Sequence, residues 1–260
     1  MNDYHMHTAL SDGEGDVDAF VARAAELGLA EIGISDHLVP RAYDEAGYGL
    51  PDQDVARYAR DVRRAAGGAS GVRVLVGVEI DYIPGTETEV EALLANELFD
   101  YVIGSVHFAG GFPFDMSSMR DDPRWNDVDD VYRVYWETVA RAAAWGRFDV
   151  VGHLDLPKKY GHRPAVSMGA AEDAALAAIK TAGLAIELNT SGLRSAAREA
   201  YPGPPLLKRA AALAIPLTFG SDAHTPADVG RDFARAAALA RAAGFTTTRR
   251  LSDGGDEALS

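Results

Sequence analysis

Two imidazoles stand two residues apart in His5-Met6-His7. In an extended segment their side chains share one face, because alternate residues of a strand point the same way. Four more histidines, His37, His107, His153 and His224, each follow a short apolar run. Glu79 and Asp222 occupy matching places, and Asp12 lies in the turn after the first run. One histidine in such a place is ordinarily a polar group satisfied by its neighbours. Nine His, Asp and Glu side chains gathered at the ends of successive runs are a different matter. Six imidazoles packed together repel when protonated and need partners when neutral. Metal coordination answers both problems, since neutral imidazole is the commonest protein ligand for metals.

A single catalytic zinc needs three protein ligands and an open position. Nine donors suffice for three divalent ions if a carboxylate bridges. Nitrogen and oxygen donors without thiolate suit Zn, Mn or Fe. Three dications against three carboxylates leave a local positive surplus, which suits a phosphate dianion.

Positioning these residues requires a frame whose strand ends converge. Apolar runs at Asp3–His7, Glu31–Ser35, Val72–Ile80, Tyr101–Ser105, Val150–Gly152, Ala185–Leu188 and Pro216–Phe219 read as strands. Helical patterns alternate with them at Val17–Leu27, Asp54–Ala66, Val131–Ala144, Ala171–Ala182, Pro205–Leu213 and Val229–Ala243. Such alternation predicts parallel βαβ units, and Gly28, Gly183 and Gly244 are expected helix stops. The expected fold is α/β, a barrel with the metal site at the C-terminal rim of its strands, where barrel enzymes keep their active sites. Arg41–Gln53 and Ala109–Val128 read as long loops. Residues 1–250 are expected to form one domain, followed by a polar tail over 251–260 whose end, from Ser252, is expected to fray.

The 260 residues match what such a barrel needs, and 47% hydrophobic residues provide a core. A formal net charge of −14 disfavours nucleic acid as a partner. A small phosphate monoester is the expected one. The absence of cysteine fits a reducing cytoplasm. No signal sequence and no apolar run of membrane-spanning length is expected, so no membrane partner is either. Oligomeric state leaves no mark in the composition.

The motifs His5-Met6-His7-Thr8, Ser11-Asp12-Gly13, Ser35-Asp36-His37, Gly77-Val78-Glu79, Gly104-Ser105-Val106-His107, Gly152-His153-Leu154-Asp155 and Gly220-Ser221-Asp222-Ala223-His224, in this order, resemble the PHP superfamily of polymerase-associated and phosphatase domains. That resemblance implies a distorted (β/α)7 barrel. Asp81-Tyr82-Ile83-Pro84-Gly85, Phe114-Asp115-Met116, Asn189-Thr190-Ser191-Gly192-Leu193-Arg194 and Tyr201-Pro202 look like its histidinol-phosphatase branch, which dephosphorylates L-histidinol phosphate in histidine biosynthesis. Members of the branch often carry histidine near position 13. Here Ser11-Asp12-Gly13 stands instead, as in other PHP phosphoesterases, with Asp12 as the substituting ligand. The resemblance implies one ion on His5, His7, Glu79 and Asp222, a second on Glu79, His107 and His153, and a third on Asp12, His37 and His224.

A phosphomonoesterase of this kind needs a metal-activated hydroxide, a cation for the phosphate and a proton for the leaving alkoxide. Arg194 is the first candidate cation, because guanidinium pairs with phosphate through two parallel hydrogen bonds. Lys158 and Lys159 are also expected to reach phosphate. Asp222 or a histidine such as His224 is the expected proton donor. Asp36 and Asp155 are expected to orient ligand histidines, and Asp115 and Ser118 to meet the non-phosphate end of the substrate. The alternatives are a PHP phosphoesterase for nucleotides or generic phosphomonoesters and, disfavoured by the charge, a non-catalytic module that assists a polymerase.

Overall fold

Buried strands flanked by amphipathic helices dominate the computed structural model, which describes residues 1–68, 71–96 and 98–259. The strands are β1 Glu31–Ile34, β2 His37–Leu38, β3 Arg73–Val76, β4 Glu79–Asp81, β5 Ile103–Ser105, β6 Phe108–Ala109, β7 Phe112–Pro113, β8 Val150–Val151, β9 Ala185–Asn189, β10 Leu217–Gly220, β11 Thr247–Arg249 and β12 Asp256–Ala258. Six of them form one sheet in the order β10-β9-β8-β5-β4-β2, and every pairing in it is parallel. β1 and β3 form a second parallel pair. Parallel neighbours need crossovers. Helices supply them: α1 Val17–Glu26, α2 Val55–Gly68, α3 Glu87–Leu94, α4 Val128–Trp145, α5 Gly169–Ala182, α6 Pro204–Ala212 and α7 Phe233–Ala243. β1, β4, β5, β8, β9 and β10 are buried along their whole length, as strands covered on both faces are.

Several expected elements come out differently. Asp3–His7 makes only isolated bridges, Asp3 with Ile32 and Met6 with Ala223. Its amides turn to two neighbours: Asp3 N donates to Glu31 O (3.2 Å), whereas Tyr4 N donates to Phe219 O (3.2 Å) and His7 N to Ala223 O (2.9 Å). The expected strand Val72–Ile80 is broken into β3 and β4. The Tyr58 hydroxyl lies 2.7 Å from both Ile34 O and Gly77 O, so it occupies the carbonyls at both breaks in the adjacent chains. α3 was not expected; its only buried side chain is Val90, too few for a helical stripe. α7 begins at Phe233 rather than Val229, because Gly230 and Asp232 take left-handed backbone angles (φ 62° and 63°). The loop from Ala109 onward starts with the β6–β7 hairpin.

The end of the chain is ordered rather than frayed over its described residues. β11 and β12 pair antiparallel. The turn between them packs under the sheet, where Leu251 N donates to the Tyr4 hydroxyl (3.2 Å) and Ser252 N to Glu31 (3.3 Å). Among the described residues, no helix is long and apolar enough to cross a membrane.

Candidate metal centre

The Asp3–His7 segment runs between β1 and β10, so its alternate side chains His5 and His7 turn inward together, both fully buried. His37 opens β2 and is the register partner of Glu79, which opens β4. His107, His153 and Asp222 lie two residues beyond the ends of β5, β8 and β10. The left-handed backbone at Asp222 (φ 54°) turns the chain toward His224. Gly220 is required just before it: a Cβ there would meet Glu187 Oε1 at 1.7 Å and the Cβ of His5 at 2.8 Å.

Glu79 sits at the centre. Its Oε2 is 2.8 Å from His37 Nδ1, 3.2 Å from His5 Nε2 and 3.5 Å from His7 Nε2. Its Oε1 is 2.9 Å from His153 Nε2 and 3.8 Å from His107 Nε2. One carboxylate therefore spans five imidazoles. Three groups bring their ligand atoms within 4.8 Å of one another: His7, Asp12, His37 and His224; His5, His7 and Asp222; His5, Glu79 and His153. This differs in detail from the grouping implied by the resemblance. His7 also joins the Asp12 group, and His5 takes the place of His107 beside Glu79. His107 Nε2 lies 3.3 Å from His153 Nε2, at the edge of the third group.

The donor set fits divalent ions. His5 Nε2, both ring nitrogens of His7 and His153 Nδ1 are buried and make no hydrogen bond of ordinary geometry among the described residues. Buried polar atoms are rarely left unpaired. Two of them, His5 Nε2 and His7 Nε2, lie 3.2 and 3.5 Å from Glu79 Oε2, where a cation would neutralise the carboxylate; His153 meets Glu79 through its Nε2 at 2.9 Å.

The charges suit the same purpose. Burial, with His37 and His224 adding to it, pushes His7 down to about 3, so its imidazole is neutral. Burial works against the ionised forms of Glu79 and Asp222, but the surrounding histidines hold both well below the usual carboxylate range. Asp12, opposed by burial and pulled down by His224, lies at about 2. The carboxylates in turn outweigh burial at His224, raised to about 9, and at His107, raised to about 10.

Two acidic residues missed in the sequence hold the ligands from behind. Glu187 accepts from His5 Nδ1 (2.7 Å) and, with its other oxygen, from the His153 amide (2.9 Å). Asp81 accepts from His107 Nδ1 and from the Tyr48 hydroxyl. Each is an acidic residue inside an apolar strand, a signal available in the sequence. Asp36 and Asp155, expected in this role, meet no histidine. Asp36 instead accepts from Thr8 N (2.6 Å), the Thr8 hydroxyl (2.7 Å) and Ser11 (2.6 Å), which shapes the turn that presents Asp12.

A cavity of about 630 Å³ opens above this cluster, and Asp12, His37, Glu79, His107, His153, Asp222 and His224 line its floor. Arg194, Lys159, Asp115 and Ser118 line its wall. Arg194 donates to Ser221 O (3.0 Å), and Lys159 pairs with Asp115 (3.3 Å). Lys158, expected to reach phosphate, is buried below this wall with its ammonium taken up by Asp155, Glu199 and Ala200 O.

Residues 3–191 match the family model of the PHP domain. The chain belongs to the PHP domain family. It is 38% identical to a probable histidinol-phosphatase of Deinococcus radiodurans, the match covering 94% of each chain. A histidinol-phosphatase of Bacillus subtilis is 28% identical over 88% of this chain and 95% of its own. With this identity over nearly its whole length, the chain is a metal-dependent phosphatase of that family. Two solved structures share the fold. A putative histidinol phosphatase of Listeria monocytogenes superposes with a TM-score of 0.82 at 22% identity, covering 90% of this chain and 99% of its own. A histidinol phosphate phosphatase of Lactococcus lactis, complexed with zinc, L-histidinol and phosphate, has a TM-score of 0.76 at 21% identity and covers 98% of both chains.

Proposed function

We propose that the protein hydrolyses L-histidinol phosphate to L-histidinol and inorganic phosphate, with up to three divalent ions, Zn, Mn or Fe, on the nine donors at and beneath the cavity floor. The observation that carries this reading is the set of unpartnered, buried ligand atoms beneath a cavity walled by two cations, Arg194 and Lys159. The relatives' names supply the substrate.

Divalent ions, when bound, supply Lewis acidity and bring the pKa of water toward about 7. The protein does the rest. His5, His7 and Asp222 would hold one ion, Asp12, His37 and His224 another, and His107 and His153 a third, with Glu79 placed among all of them. Arg194 and Lys159 receive the phosphate oxygens, and Lys159 leaves Asp115 to do so. Asp115 and Ser118 then face the amine and imidazole end. Asp222 or His224 relays the proton to the leaving alkoxide, and the Ser191 hydroxyl donates to Asp222 Oδ2 at 3.0 Å.

The frame is read as a distorted (β/α)7 barrel closed by the first segment. The bonds of Asp3–His7 to both β1 and the β10 side support that reading. A reducing cytoplasm is the compartment that the cysteine-free composition supports.

Phosphate release from L-histidinol phosphate, AMP and p-nitrophenyl phosphate, by purified protein of known metal content, tests the proposal. A strong preference for histidinol phosphate, lost on chelation and restored by metal, is expected. Broad weak activity on all three would keep the phosphatase and cancel the substrate. Preference for AMP would replace it with a nucleotide, the reading that Asp12 in place of the branch's histidine favours.

A further inference from the structure

Lys158 is 1% exposed, although its neighbour Lys159 lines the cavity. An ammonium has three donors, and each has an acceptor here. Asp155 Oδ2 and Ala200 O lie at 2.9 Å, and Glu199 Oε2 at 3.3 Å. Asp155 belongs to the loop after β8, which carries His153 and Lys159. Glu199 and Ala200 belong to the loop after β9, which carries Arg194 and Tyr201. The ammonium therefore joins the two loops that supply the cavity's cations. Asp155 extends the joint by accepting from Gly203 N at 2.9 Å, where the second loop runs into α6. The ammonium also lies 5.2 Å from the centre of the Tyr201 ring. The Tyr201 hydroxyl is 3.1 Å from Ser195 Oγ, next to Arg194.

We propose that Lys158 is a positioning residue for phosphate recognition, fixing the distance between Lys159 and Arg194 across the cavity. It touches no substrate. Hydrogen bonds to phosphate weaken steeply with distance and angle, so two cations on separate loops grip one phosphoryl group only if the loops keep their spacing. A surface lysine could not hold them, because its rotamers and hydration compete with any one geometry. Burial with all donors occupied removes that freedom.

The inference rests on the phosphatase reading but not on the identity of the natural phosphomonoester. Inorganic phosphate is therefore the main probe, titrated into metal-loaded protein, with KM and kcat measured beside it. Lys158→Met keeps the stem and deletes the charge. Glu199→Gln keeps the lysine and weakens one of its three partners. With metal content unchanged, Lys158→Met is expected to raise KM and the phosphate dissociation constant about tenfold, and to change kcat by less than about threefold. Glu199→Gln is expected to move the same two constants in the same direction by less. A merely structural lysine would lower yield or kcat and leave KM and phosphate affinity where they were, and that result overturns the proposal. If Lys158→Met does not fold, Glu199→Gln decides: a rise in both constants supports the joint, and unchanged constants overturn it. Wild-type protein that binds phosphate but does not cleave histidinol phosphate would count against the named substrate alone.

Discussion

Glu187 belongs to none of the three ligand groups, yet two of the ligand residues depend on it. One oxygen takes the His5 Nδ1 proton and so leaves Nε2 free to face the cation site; the other takes the His153 amide and Asn189 Nδ2 (3.1 Å). Both oxygens must accept. Glu187→Gln turns one of them into a donor aimed at another donor. The expected result is a folded protein whose metal affinity falls by about 10- to 100-fold, the usual effect of disturbing the partners behind a ligand. A competition titration against a coloured chelator measures it, and unchanged affinity would remove Glu187 from the metal centre. The convergence of these side chains was legible in the sequence, because His5-Met6-His7, His37, His107, His153 and His224 stand at or just beyond the ends of five of the seven apolar runs. Glu187 and Asp81 were missed, because an acidic residue inside an apolar strand signals a buried partner without naming it. Only the fold shows what lies opposite. Asp36 shows the converse: its place beside His37 suggested a partner for an imidazole, but it faces Thr8 and Ser11 across the turn.

At the scale of elements, the parallel strands and most helices could be read from alternation, and their glycine stops are left-handed as expected at Gly28, Gly183 and Gly244. What failed were the places where one group from afar overrides a local pattern. The Tyr58 hydroxyl divides the run Val72–Ile80, and the Asp3–His7 backbone shares its amides between two neighbours. The C-terminal hairpin is a third case. Its polar composition suggests solvent, but β12 is tied to the start of the chain through Asn2 Nδ2 and Glu257 (3.0 Å), and its turn supplies amides to Tyr4 and Glu31. Glu31 is 4% exposed, so a lost donor is not freely replaced. Truncation after Arg250 is expected to cost about 1–3 kcal/mol of stability and to leave metal content unchanged, because the hairpin lies at the opposite ends of the strands from the ligands. Urea denaturation of both proteins checks this, and an unshifted midpoint would mean that the tail is as loose as its composition suggests.

The whole molecule is acidic, with a formal charge of −14, yet its centre gathers imidazoles that hold protons. Before metal enters, the carboxylates keep His224 protonated up to about pH 9 and His107 up to about pH 10, despite their burial. Two consequences oppose each other. An imidazole whose pKa is raised by folding stabilises the fold in full below its unfolded value, near 6.5, and that contribution is lost as pH rises through 9 and 10. A protonated imidazole cannot bind metal, so the same rise in pH strengthens metal binding, by up to about tenfold per unit for each proton displaced. Bound metal adds stability in proportion to the logarithm of its affinity. From pH 7 to 9 the metal-stripped protein should therefore lose thermal stability through these groups, while in the loaded protein the stronger binding offsets that loss. The gap between their melting midpoints should widen. Effects common to both forms, such as surface titration, cancel in the gap. Calorimetry at pH 7 in buffers of different ionisation enthalpy should also register proton release on metal addition. A gap that narrows toward pH 9, together with no release, would show that these histidines are neutral before the metal arrives and that the carboxylates do not prepare the site by holding their protons.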